Sequence, residues 1–218
     1  LNPTINDSVK DPLNSQRKTT PSCNDFSVKG GEVMNDFGSC LKNRSILVVD
    51  DEKEIRETIE DLLEHPVLDF AGDYETACDK IVHSKYDLAI LDIMGVNGMK
   101  LLEQCVKRQI PAIMLTAHAV TPEALMESIE KGAISYIPKE SLAELESLVG
   151  EILSAHEKGS PPWKTLFERL GSYFNKQFGP NWKEKDKAFW DDFTRTYYIS
   201  RGIQERLKAR RDIIDKGI

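Results

Sequence analysis

No stretch of the 218 residues approaches the roughly 18 consecutive apolar residues needed to cross a bilayer. Residues 1–20 are polar and lack the apolar core of a secretory signal, so a cytoplasmic protein is expected, with no membrane partner. Cysteine is sparse: Cys23, Cys40, Cys78 and Cys105 contain no C-x-x-C pair, which argues against a disulfide framework or a zinc centre. Cys78 and Cys105 fall inside amphipathic stretches, where a thiol serves as a small hydrophobe. No internal repeat is present. Tryptophan is missing from the first 162 residues. All three Trp, and eleven of the 17 aromatic residues, lie in residues 163–218.

The net charge of −7 conceals a division of the chain. Residues 45–158 carry −13, residues 159–218 carry +5 and residues 1–44 carry +1. An acidic module followed by a basic one implies at least two functional parts. Composition agrees. Residues 1–43 are rich in Asn, Ser, Thr, Pro, Gly and Lys without apolar periodicity, and are expected to form a flexible lead-in. Residues 44–157 alternate between strand and helix patterns. Lys158-Gly159-Ser160-Pro161-Pro162 then breaks the pattern, and residues 158–218 form an aromatic-rich, basic helical extension.

Within the middle module, short apolar runs predict strands near 45–50, 67–71, 87–92, 111–115 and 134–137. Helical faces lie between them, marked by Ile55, Ile59, Leu62 and Leu63, and later by Leu101, Leu102, Cys105 and Val106. Five such units make a doubly wound α/β fold with a five-stranded parallel sheet, flavodoxin-like in type. Right-handed crossovers place the carboxyl ends of all the strands on one rim, where ligands bind in such sheets. The residues at those ends are chemically telling: Asp50 and Asp51, then Asp92, Thr116 and Lys139. Three carboxylates gathered there make a hard-oxygen site suited to Mg²⁺. An aspartate can act as a nucleophile toward a phosphoryl donor. Lys139 would supply a point charge to the phosphoryl oxygens and Thr116 a hydrogen bond. A strand-terminal Asp often merely caps the next helix, and Asp50 or Asp51 before Glu52-Lys53-Glu54 is placed to do so. Five functional groups at successive strand ends are harder to ascribe to capping.

From Ser45 to about His156 the sequence resembles the receiver domain of two-component response regulators. The matching residues are Val49-Asp50-Asp51-Glu52, Leu91-Asp92-Ile93-Met94, Met114-Leu115-Thr116-Ala117 and Tyr136-Ile137-Pro138-Lys139. The resemblance covers about half the chain. It implies phosphorylation of Asp92 by a sensor histidine kinase or phosphotransfer protein. It also implies Mg²⁺ held by Asp51, Asp92 and the backbone carbonyl of Met94, with Asp50 nearby or acting through water. Thr116 and Tyr136 would then switch together, altering the face formed by the receiver's fourth helix, fifth strand and fifth helix. Such a domain is a phospho-acceptor that promotes its own phosphorylation and dephosphorylation, not an enzyme acting on a separate substrate.

The sequence departs from the family in two places. Asp92 reaches Gly98 through Ile-Met-Gly-Val-Asn, two residues fewer than is typical and without proline, so a tighter loop is expected over the site. Lys139 is followed by Glu140 where proline is frequent. His118, two residues past Thr116, is expected to be a rim residue.

The extension carries a helical stripe of Trp163, Phe167, Leu170, Phe174 and Phe178, stopped by Gly179-Pro180. Phe189, Trp190, Phe193 and Tyr197 follow. Large aromatics favour packing and protein contact, in this chain, in a homodimer or on a separate target. The acidic residues Glu123, Glu127, Glu130, Glu140, Glu144, Glu146 and Glu151 offer an attractive surface to a basic tail. A cluster of Arg201, Arg206, Lys208, Arg210 and Arg211 suits nucleic-acid phosphates, but Glu205, Asp212 and Asp215 dilute it, and nucleic acid is the less expected partner. The alternative kept open is a transcription regulator whose basic C-terminal region binds DNA. A haloacid-dehalogenase-like phosphatase fits worse, since that family needs Asp-x-Asp after its first strand.

Overall fold

A computed structural model describes residues 37–117, 121–193 and 195. Strands β1 (Ser45–Val49), β3 (Leu88–Asp92), β4 (Ala112–Thr116) and β5 (Ser135–Pro138) are buried along almost their whole length, as expected for parallel strands covered on both faces. β2 (Val67–Ala71) is partly exposed. All pairings are parallel, in the order β2-β1-β3-β4-β5. Each strand lies within a residue or so of its expected place.

Helices α2 (Lys53–Leu62), α3 (Tyr74–His83), α4 (Gly98–Lys107), α5 (Pro122–Glu130) and α6 (Leu145–Glu157) complete the α/β sandwich. α2 packs with α6, and α3 with α4, giving two helical layers around the sheet. Local signals set the helix starts. Asp73 accepts from the Thr76 amide at 2.8 Å, and Thr121 from the Ala124 amide at 3.2 Å with Pro122 opening α5. The capping alternative for Asp50 and Asp51 does not hold: the N-cap of α2 is Glu52, and no side chain caps it.

One element departs from the expected flexible lead-in. Helix α1 (Phe37–Leu41) packs against α6, with Leu41 fully buried. Gly38 is fitted so closely to His65 that a Cβ would lie 2.7 Å from its ring. Five residues are too few to produce a helical period, so the sequence gives no sign of α1. The expected lead-in otherwise lies outside the described residues.

Beyond α6 the chain turns through Gly159, at φ +64°, into α7 (Pro162–Phe178). α7 packs on α6 and along β5, the strand at the sheet edge. Near the start of β5, Trp163 Nε1 donates to the Ala133 carbonyl at 3.1 Å. Past its end, Tyr173 Oη donates to Glu140 at 3.1 Å. Between them Arg169 pairs with Glu144 at 2.5 Å and with Glu151. The helix therefore runs alongside the strand, in the same direction. Covering an edge strand removes a template for unwanted pairing. Two of the expected acidic surface residues, Glu144 and Glu151, are met by Arg169 of α7, within the basic extension. The arginine-rich cluster and Tyr197 lie outside the described residues.

The aromatic stripe is a real packing face. Trp163, Leu166, Leu170 and Phe174 are buried, and Phe167 stands among Trp163, Phe174, Trp182 and Trp190 at centroid distances of 5.4–6.2 Å. Burial of Phe174 alone contributes about 1.5–3 kcal/mol. Gly179, at φ +87°, ends α7; the short α8 (Trp182–Lys185) follows, and residues 187–193 are again helical.

Candidate functional site

The strand order reverses between β1 and β3, and this is the point where ligands bind in open α/β sheets. Asp50 follows the last residue of β1 and Asp92 is the last of β3. Both are buried, at 0% and 3% exposure. Asp92 Oδ2 accepts from the backbone amides of Met94 and Gly95, each at 3.0 Å. Its other oxygen, Oδ1, lies 3.2 Å from Lys139 Nζ. Lys139 reaches in from the end of β5, two strands away. Its ammonium also lies 2.8 Å from Asp50 Oδ2 and 2.8 Å from Glu52 Oε1. Burial opposes the charge on Lys139, but its close contacts with Asp50 and Glu52 and the charge of Asp92 hold its pKa above the usual value. Asp50 is held above the usual carboxylate range, first by burial and also by the nearby Asp92; Lys139 works against this.

The expected metal ligands, Asp50, Asp51, Asp92 and the Met94 carbonyl, differ in their surroundings. Asp50 Oδ1 accepts from the Glu52 amide at 2.9 Å. Oδ2 lies at ion-pair distance from Lys139 Nζ, and among the described residues this buried oxygen accepts no hydrogen bond. Such an oxygen suits a hard cation, and the candidate donors (Asp50, Asp51, Asp92 and the Met94 carbonyl) are all oxygens. Among the described residues, however, no three acidic, His or Cys side chains are gathered closely enough to hold a metal ion. Adjacent residues diverge: Asp50 turns in, whereas Asp51 is exposed and lies against Gly95, where a Cβ would come within 1.8 Å of its Oδ1. The Met94 side chain is 74% exposed, leaving only its backbone at the site. Lys139 is the counter-charge that two buried carboxylates require.

The shortened loop after Asp92 is tight, as expected. The Gly98 amide donates to the Ile93 carbonyl at 3.2 Å, and Asn97 takes a left-handed conformation at φ +55°. A Cβ on Gly98 would sit 1.9 Å from the Asp92 carbonyl oxygen. Glycine is thus required there by close backbone approach.

Thr116, the last residue of β4, is buried, and its hydroxyl donates to the Ala117 carbonyl at 3.2 Å. In the ladder Met114 pairs with Tyr136 and Thr116 with Pro138. Tyr136 is fully buried, and among the described residues its hydroxyl has no hydrogen-bond partner. Burial pushes its phenol up to about 12, with Thr116 acting in the opposite direction. His118 lies outside the described residues. Sequence reasoning missed Glu52 as a partner of Lys139, and Arg56, whose guanidinium donates to the Asp50 carbonyl at 2.5 Å. Beside two aspartates, Glu52 looks like an ordinary helix-start acid. No local pattern announces contact with a lysine 87 residues away.

The sequence model of the response regulator receiver domain matches residues 46–150. This chain carries a response regulator receiver domain. The phosphate regulon transcriptional regulatory protein PhoB of Klebsiella pneumoniae is 36% identical over 124 residues, spanning 50% of this chain and 53% of its own length. The transcriptional regulatory protein CpxR of Escherichia coli is 36% identical over 101 residues, 43% of this chain and 42% of its own. Among solved structures, a CheY-like receiver domain protein from Methanospirillum hungatei superposes with a TM-score of 0.50 at 28% identity, covering 54% of this chain and 98% of that one. This chain thus spans about half the length of the curated relatives it matches. Two of those relatives are named transcriptional regulatory proteins, so the expectation that nucleic acid is the less favoured partner finds no support in them. Among the described residues, no helix is long and apolar enough to cross a membrane.

Proposed function

We propose that the receiver domain accepts a phosphoryl group on Asp92 from a histidine kinase or phosphotransfer protein, in the cytoplasm. Asp92 Oδ1, which faces Lys139, attacks phosphorus as the bond to the donor breaks, leaving an acyl phosphate on the aspartate. The Met94 and Gly95 amides fix the other oxygen, so the nucleophile is presented in one orientation. Lys139 takes up charge on the phosphoryl oxygens, and Thr116 offers its hydroxyl. Mg²⁺ bound through Asp50, Asp51, Asp92 and the Met94 carbonyl would supply neutralisation of the negative charge that gathers during transfer. The chain promotes its own phosphorylation and dephosphorylation and is not an enzyme toward other substrates.

The observation that carries this reading is the contact of one ammonium, Lys139, with both buried aspartates at the switch point. Incubation with Mg²⁺ and acetyl phosphate is expected to raise the intact mass by one phosphoryl group, with no gain in Asp92→Asn. An equal gain in that variant defeats the assignment.

The output reading rests on adjacency. Lys139 belongs to the site, and its neighbour Glu140 holds Tyr173 of α7. A phosphoryl group that recruits Lys139 acts on the same short turn that grips α7, so loading loosens the helix and frees it for a protein contact, a homodimer included. The names of the relatives favour a second reading, in which the basic tail binds DNA. Salt-dependent DNA binding by the full chain, lost on deleting residues 196–218, would support it; no binding at low salt removes it.

A further inference from the structure

Glu52 occupies the N-cap position of α2, where a side chain ordinarily accepts a hydrogen bond from the first helical turn, yet its carboxylate makes no such bond. It reaches instead to Lys139, with Oε1 2.8 Å from Nζ. Three carboxylates therefore share one ammonium, and they differ in freedom. Asp50 and Asp92 are buried at strand ends, and both are held by backbone amides. Glu52 is more than half exposed and rests on a flexible stem. It alone can leave.

A phosphoryl group on Asp92 carries up to two negative charges and draws on the same lysine. We propose that Glu52 is a positioning residue that holds Lys139 back from the phosphoryl group, slowing the loading of Asp92 and shortening its loaded lifetime. This inference rests on Asp92 being the acceptor. The backbone amide of Glu52, which donates to Asp50, is unchanged by any side-chain substitution other than proline. Glu52→Gln thus keeps length and backbone link while removing the charge. Glu52→Asp keeps the charge but is one methylene too short to hold the ammonium.

The full chain with Mg²⁺ and acetyl phosphate, followed by intact mass, gives the loading rate; donor removal gives the decay. Both variants are expected to load about two- to five-fold faster, the factor carried by a part-exposed ion pair, and to decay more slowly. Affinity for beryllofluoride, a phosphoryl mimic, should rise by a similar factor with the thermal midpoint unchanged, which a purely structural role for Glu52 would not give. In a Lys139→Met background Glu52→Gln should change nothing. The proposal is overturned by wild-type rates in Glu52→Gln, by wild-type rates in Glu52→Asp alone, or by an equal acceleration without Lys139. Mass gain by Asp92→Asn would instead defeat the acceptor assignment, so the two failures are distinguishable.

Discussion

The indole of Trp163 donates to the Ala133 carbonyl at 3.1 Å, tying the first turn of α7 to the residues that lead into β5. The contact is buried, so its loss leaves a carbonyl without its donor. Trp163→Phe retains most of the apolar contact and is expected to cost about 1–3 kcal/mol, read as a lower denaturant midpoint. An unchanged midpoint would show that α7 is held by other means.

Arg169 is the next anchor, shared by Glu144 and Glu151. It is about one-third exposed, so solvent screens each pair. Arg169→Ala should lower overall stability by only about 0.2–1 kcal/mol, yet raise proteolytic cutting in the 158–161 turn as α7 loosens. Combined with Tyr173→Phe, which removes the bond to Glu140, cutting should increase further. Cutting no faster than in the parent protein would speak against these contacts as the clasp.

Gly98 lies so close to the Asp92 backbone that any side chain must displace it. Gly98→Ala is expected to cost about 1–3 kcal/mol in stability and, with Asp92 as the proposed acceptor, to slow phosphoryl loading, because the shift falls on that residue. Gly171, which among the described residues has nothing near its missing Cβ, is the control: Gly171→Ala inside α7 should be neutral or mildly stabilising.

Three phenols titrate late. Tyr86, Tyr136 and Tyr173 are pushed from the ordinary 10.0 up to about 12, each first by burial. For Tyr86 and Tyr173, nearby Asp69 and Glu140 add to the shift. Each phenol therefore keeps its proton more firmly in the folded chain than in the unfolded one. Their contribution to stability is complete below pH 10 and is lost as the pH rises toward about 12. Ultraviolet titration of the folded protein should show three tyrosines ionising only near unfolding. Ordinary ionisation of Tyr136 at pH 10 would contradict its burial.

The sheet could be read from the sequence because parallel strands covered on both faces leave continuous apolar runs, such as Ile46-Leu47-Val48-Val49. Chain topology then carries Asp50, Asp92, Thr116 and Lys139 to one rim without further information. What the pattern does not encode is side-chain direction. Asp50 and Asp51 are neighbours, yet one is buried at the lysine and the other lies exposed on Gly95. Distance along the chain hid the Glu52–Lys139 pair, and brevity hid α1. The aromatic stripe of α7 announced a buried face but not its partner, since Trp163 and Phe174 would look the same against any apolar surface.

Lys139 and Glu140 are joined by a single peptide bond at the opening of a 3₁₀ turn, one side chain in the acidic crevice and the other on α7. No spacer lies between them to absorb a twist. Under the proposed output, a message passing from crevice to helix has one peptide plane to cross, so the latch on α7 would trip while the hydrophobic interior stays as it is.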